Sequence, residues 1–146
     1  MHYHHARILQ WRPFETLDEM HETLIRRHNE TVDEGADVWM LGDIGLAPAD
    51  RIIALLERLN GSLHLVFGNH DKKLLRKWLG WASVQEKALV DGVLCQHHPV
   101  KKWADMNHTP LFHGHAHGSS NIAGAFDVGV DVHDFRPVTK AEILAT

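Results

Sequence analysis

Cysteine is nearly missing: Cys95 is the only one in 146 residues. No intrachain disulfide can form and no thiolate metal cluster can be built, which fits a reducing cytoplasm. No apolar run approaches the roughly 18 residues of a membrane-spanning helix, and no apolar leader opens the chain. Basic excess is absent too. Fifteen Lys and Arg stand against 19 Asp and Glu, a net charge of −4, which gives no general drive toward nucleic acid or an anionic membrane. Repeats, low-complexity tracts and dividing linkers are lacking, so residues 1–146 read as one domain. What the chain has in plenty is histidine, 14 in all. Imidazole is the commonest metal ligand, so the first question is whether these rings converge.

Hydrophobic periodicity gives an outline. Thr16 and Glu19 form a capping-box pattern ahead of Leu17, Met20, Leu24 and Ile25, which predicts a helix over 16–33. Residues 37–41 form a short apolar strand that ends at Gly42. Pro48 opens a second helix that stops near Gly61. A strand over 63–67 ends at Gly68, and a basic helix follows over 72–79. Strands over 84–90 and 93–96 flank Asp91-Gly92, a strong hairpin signal. A strand over 126–132 and a helical turn over 139–144 complete the outline. Helices alternating with strands, then a strand-rich half, predict a layered α/β fold with helices over a mostly buried sheet.

Four polar clusters follow these strands or stand where loops belong: Gly42-Asp43, Gly68-Asn69-His70-Asp71, His97-His98-Pro99 and Gly114-His115-Ala116-His117. Ligand crevices in α/β sheets lie beyond the carboxyl ends of strands, so these loops can meet. Asp, Asn and His without sulfur suit Mn, Fe, Zn, Co or Ni.

In this order, the four clusters resemble the calcineurin-like metallophosphoesterases, whose pattern is Asp-x-His, Gly-Asp, Gly-Asn-His-Asp, a lone His, then Gly-His-x-His. His5 with Ile8-Leu9, Arg12-Pro13-Phe14, Trp103 and Val128-Gly129-Val130-Asp131 through Pro137 are similar to a small bacterial and phage branch. The resemblance implies an αββα fold, two packed β-sheets flanked by helices. It also implies two divalent metal ions and hydrolysis of a phosphate ester by a hydroxide held between them, with a phosphodiester or nucleotide favoured. On this resemblance Asp43 bridges the metals. Asn69, His97 and His115 complete one site; His117 and His2 serve the other. His70 faces the scissile phosphate, Asp71 orients His70, and His5 and Arg12 contact substrate. Two metals suit the task because a phosphate ester is an anion that repels nucleophiles until its charge is neutralised.

The chain departs from the pattern at its start. His2 and His5 match the two histidines of the first motif, but the Asp falls one residue before Met1, and the strand that carries it has no counterpart. The expectation is a weaker metal site at His2 and His117, and unpaired strand edges that invite a dimer. A metal-binding or scaffold protein on the same fold, with hydrolysis impaired, is the competing expectation. The expected partner is a phosphorylated small molecule or nucleotide, with nucleic acid only as substrate and no membrane. His21, His28, His64, His108 and His133 are read as solvated or locally bonded. Lys72, Lys73, Arg76 and Lys77 are read as a solvated helix face or a weak draw for phosphorylated substrates.

Overall fold

Thr16 begins the first long element as its sequence predicts. Its Oγ1 accepts the Glu19 N–H at 3.1 Å and caps α1 (Leu17–Thr31). The computed structural model describes residues 1–106 and 108–146. The stripe of α1 that faces inward is Met20, His21, Leu24, Ile25 and His28. His21 and His28 are therefore buried, not solvated. His28 Nε2 bonds the Asn60 carbonyl at 2.8 Å, and His21 Nε2 accepts the His4 N–H at 2.9 Å.

Two sheets form. β1 (Asp37–Met40) pairs in parallel with β2 (Ser62–Val66), in register Asp37 to Ser62, and β2 pairs in parallel with β3 (Ser83–Gln85). Between them lie α2 (Ala49–Leu56), which buries Ile52 and Leu56, and the single turn α3 (Lys73–Arg76). The second sheet runs β4 (Lys87–Val90), β5 (Val93–Gln96), β6 (Leu111–His113), β7 (Ala125–Asp127). Its first pair is antiparallel and the other two are parallel. Asp91 and Gly92 both take positive φ, +47° and +77°, which tightens the β4–β5 hairpin. α4 (Trp103–Met106) precedes β6, and α5 (Lys140–Leu144) ends the fold under the Thr139–Glu142 capping box. The chain is thus α/β, two sheets flanked by helices.

Two apolar clusters hold these layers. One packs Met20, Leu24, Ile52 and Leu56 of the helices against Leu63 and Leu65 of the first sheet. The other joins Val66 and Trp39 of the first sheet to Ala88, Val93, Cys95 and Phe112 of the second. A cleft of about 630 Å³ runs between the sheets, from Trp39 and Val90 to Asp43 and His117. Among the described residues, no helix is long and apolar enough to cross a membrane.

Three predicted elements are corrected. The strand over 84–90 breaks at exposed Glu86 into β3 and β4, which belong to different sheets. Alternation of apolar residues marks extended chain but not the point where it changes sheet. The strand over 126–132 stops at Asp127. There the Asp127 carboxylate accepts the Gly129 and Gly118 N–H groups, both at 2.8 Å, and residues Val130–Val132 turn as a 3₁₀ helix. The helix over 72–79 shrinks to one turn, where the Leu75 carbonyl is shared by the Trp78 N–H and the Trp81 indole N–H. β6 and α4 went unpredicted because each is three or four residues long, too short for a period to register.

Candidate metal centre

Each of the four polar clusters leaves the carboxyl end of a strand: Gly42-Asp43 follows β1, Gly68-Asn69 follows β2, His97 follows β5 and Gly114-His115 follows β6. A hydrogen bond joins the two sheets at this end. His97 Nδ1 donates to the Leu41 carbonyl at 2.7 Å. That bond fixes the tautomer and leaves the Nε2 lone pair facing into the site. Glycine is required around it. A Cβ on Gly42, whose φ is +83°, would lie 2.5 Å from His97 Nδ1, and one on Gly68 would lie 2.8 Å from the same ring.

His97 Nε2 stands 3.2 Å from Asp43 Oδ2 and 3.2 Å from His115 Nδ1. The other Asp43 oxygen, Oδ1, is buried without a hydrogen-bond partner among the described residues. A buried carboxylate oxygen left bare is costly unless something else satisfies it. Burial raises the Asp43 pKa, but the His97 hydrogen bond and charge outweigh it and hold the carboxyl well below its usual range. Burial likewise lowers His97, yet Asp43 and the Leu41 carbonyl hold it above the usual histidine value. His98 joins this group: one ring nitrogen from each of His97, His98 and His115 lies within 4.8 Å of the others. These borderline nitrogen and oxygen donors fit a divalent cation of the Mn–Zn series.

The second group is built differently. His117 Nδ1 bonds Asp131 Oδ2 at 2.9 Å, and Asp131 is held by Arg12 through Nε at 2.7 Å and Nη2 at 2.9 Å. Burial raises Asp131, but the Arg12 pair and then His117 bring its pKa down to about 2. A carboxylate bonded to one ring nitrogen fixes the other as a ligand. The His2 ring lies 4.8 Å from that of His117 and 5.3 Å from that of His5. Burial, the terminal amine and His117 push the His2 pKa down to about 2, which keeps the ring neutral. The start of the chain is tied in by backbone bonds from His2 N to the Asp43 carbonyl (3.0 Å) and from Tyr3 N to the Ile44 carbonyl (2.8 Å), with a single parallel bridge between Tyr3 and Gly45.

Backbone strain concentrates here. His2, Asp43, His115 and His117 all adopt positive φ, between +48° and +63°. Each such non-glycine residue costs on the order of 1 kcal/mol, and residues of this kind cluster at functional sites.

The structure brings together Asp43, His97 and His115, and separately His2, His5 and His117. Asn69 and His70 are exposed, and neither side chain has a hydrogen-bond partner among the described residues. Asn69 lines a cavity with His97 and His98. Two expected roles change. Asp71 does not orient His70. It is buried, and its carboxylate accepts the N–H groups of Gly68 (2.7 Å), Asp43 (2.9 Å) and Ile44 (3.0 Å), so it locks two ligand loops together. Arg12 does not reach substrate. Its side chain is fully buried, bound to Asp131 and, through Nη1, to the Met1 carbonyl at 2.9 Å. Sequence reasoning missed Asp131 as the support of His117. The residue stood in a quoted motif, but no spacing says what it touches.

No protein-family model matches the chain. A 75-residue stretch is 41% identical to an uncharacterized protein of Methanocaldococcus jannaschii, covering 49% of this chain and 43% of that protein. The chain thus matches less than half the length of that relative. The crystal structure of a protein of unknown function from Aquifex aeolicus has the same fold. It superimposes with a TM-score of 0.75 and 19% identity over 97% of this chain and 92% of its own.

Proposed function

We propose that the chain is a divalent-metal-dependent phosphoesterase of the calcineurin-like kind, a hydrolase of phosphate esters with phosphodiesters or nucleotides favoured. One observation carries the reading: Asp43, His97 and His115 converge within 3.2 Å contacts while Asp43 Oδ1 stays buried and bare. Asp43, Asn69, His97 and His115 would hold one cation; Asp43, His2 and His117 would hold the other. Such a pair supplies charge neutralisation for the phosphate and a water of lowered pKa.

The chain's own residues do the rest. Leu41 and Asp131 set the tautomers of His97 and His117. Asp71 keeps the Asp43 and Gly68 loops in register. His70 is exposed in the loop after β2, between Asn69 and Asp71, and would be the residue to give a proton to a leaving oxygen. His5, whose buried Nδ1 has no partner among the described residues, would offer a ring N–H donor to the substrate phosphate.

The competing reading, a metal-binding protein without turnover, draws on the commitment of Asp71 to backbone, which leaves His70 without an orienting carboxylate. The test is hydrolysis of a chromogenic phosphodiester with Mn²⁺ and with chelator. Chelator-sensitive turnover is expected, and His70→Ala should lower it with metal content unchanged. A folded, metal-loaded chain without turnover leaves the binding protein.

A further inference from the structure

Beside the candidate metal centre, sharing His97 with the inter-sheet cleft, lies a second cavity of about 260 Å³. Its walls include Phe67, Asn69, Arg76, Glu86, Lys87 and His98. Arg76 is unusual. Its Nε donates to the Asp71 carbonyl at 2.9 Å, and its guanidinium carbon sits 4.3 Å from the centre of the Phe67 ring. These two contacts fix the plane of the group. Its two terminal nitrogens have no hydrogen-bond partner and no carboxylate within 4 Å among the described residues. A half-buried guanidinium, held rigid with its fork unused, is prepared for a planar or tetrahedral oxyanion. Lys87 adds a second cation, and Glu86 is the one carboxylate of the lining, so the cavity keeps a net positive charge.

We propose that this cavity is a second anion subsite, in which Arg76 and Lys87 bind a phosphate next to the one held at the His97 centre. The inference rests on the phosphoesterase reading for the scissile phosphate and adds the substrate class: nucleotides or strands that carry two phosphates on one sugar or on adjacent sugars. A monophosphate fills only the metal centre. The cationic residues beside His70 thus acquire a use through Arg76, which the turn of α3 presents to the cavity.

The probes are adenosine 3′,5′-bisphosphate and adenosine 5′-monophosphate, titrated by calorimetry into the Mn²⁺-loaded chain. The bisphosphate should bind about tenfold more tightly, the scale of one added charge-assisted contact. Arg76→Gln and Lys87→Met should each bring the ratio toward one with monophosphate affinity within about twofold. Arg76→Lys should retain part of it, which separates lost charge from lost packing, and thermal melts confirm that each variant is folded. A ratio of one in the native chain, no measurable binding of the bisphosphate, or a ratio unchanged in both neutral variants overturns the subsite. A thymidine trinucleotide distinguishes the sources. Tighter binding than the bisphosphate assigns the second phosphate to a strand, and weaker binding assigns it to a small nucleotide; either result requires the subsite. Because the readout is binding, a chain that prefers the bisphosphate yet hydrolyses no ester retires the phosphoesterase reading and leaves the subsite standing.

Discussion

His97 Nε2 stands 3.2 Å from both Asp43 Oδ2 and His115 Nδ1, whereas His117 is held from behind by Asp131, itself held by Arg12, and its Nε2 has no hydrogen-bond partner among the described residues. The first group lacks a partner for Asp43 Oδ1 and uses His97 as a stand-in counter-ion. The second has support in place for His117, while the His2 ring has no hydrogen-bond partner among the described residues. The contrast teaches that ligand convergence and ligand support are separate tasks. One half concentrates donors, and the other commits a buried Arg12 and a half-buried Asp131 to orienting a single ring.

The largest test of this contrast is Asp43→Ala, which removes the carboxylate shared by both halves. Turnover of a chromogenic phosphodiester should fall on the order of 10⁴-fold, the scale of losing a member of a catalytic unit, with the fold retained by circular dichroism. Metal-dependent turnover that survives the change would dismiss Asp43 as the bridge. Next comes a Mn²⁺ titration of the native chain. The His97 half should bind at least about tenfold more tightly, because its donors already stand 3.2 Å from His97 Nε2 while the His2 and His117 rings lie 4.8 Å apart. Two sites of equal affinity would erase the distinction. Asp131→Asn then acts on one half only. The weaker site should lose about 10–100-fold in affinity, as supporting partners of ligand histidines do, and the tighter site should not move.

The smallest effect is in pH. His97 is held above its ordinary value in the metal-free chain. Its protonated pair with Asp43 therefore stabilises the fold fully below the unfolded histidine pKa, near about 6.5. That contribution is lost as pH rises through the raised value. Seven other histidines, His2, His4, His5, His21, His28, His98 and His115, are held below their ordinary value and pull stability the other way, so the His97 contribution is read as a difference between chains. In chelator, the melting temperature lost on His97→Gln should be largest below about pH 6.5 and shrink as pH rises through the raised His97 value.

Much of this was legible in the sequence. The Gly-Asp and Gly-Asn-His-Asp clusters follow apolar strands, and the strands end where those clusters begin. Asp43, His97 and His115 meet as their residue types suggest. What a linear pattern does not carry is the partner of a buried charge. Arg12 and Asp131 lie 119 residues apart, and the packing of Phe14 against Phe135, ring centres 5.0 Å apart, holds their two segments together. Asp71 differs for a related reason. The resemblance pairs it with His70, but a buried carboxylate beside three N–H groups takes the backbone instead.

That carboxylate has a mechanical consequence. With Gly68, Asp43 and Ile44 all bonded to Asp71, one side chain braces the loops after β1 and β2 against each other. The His97–Leu41 bond ties that brace to the loop after β5. Loss of the Asp71 carboxylate would free three backbone N–H groups in two loops at once.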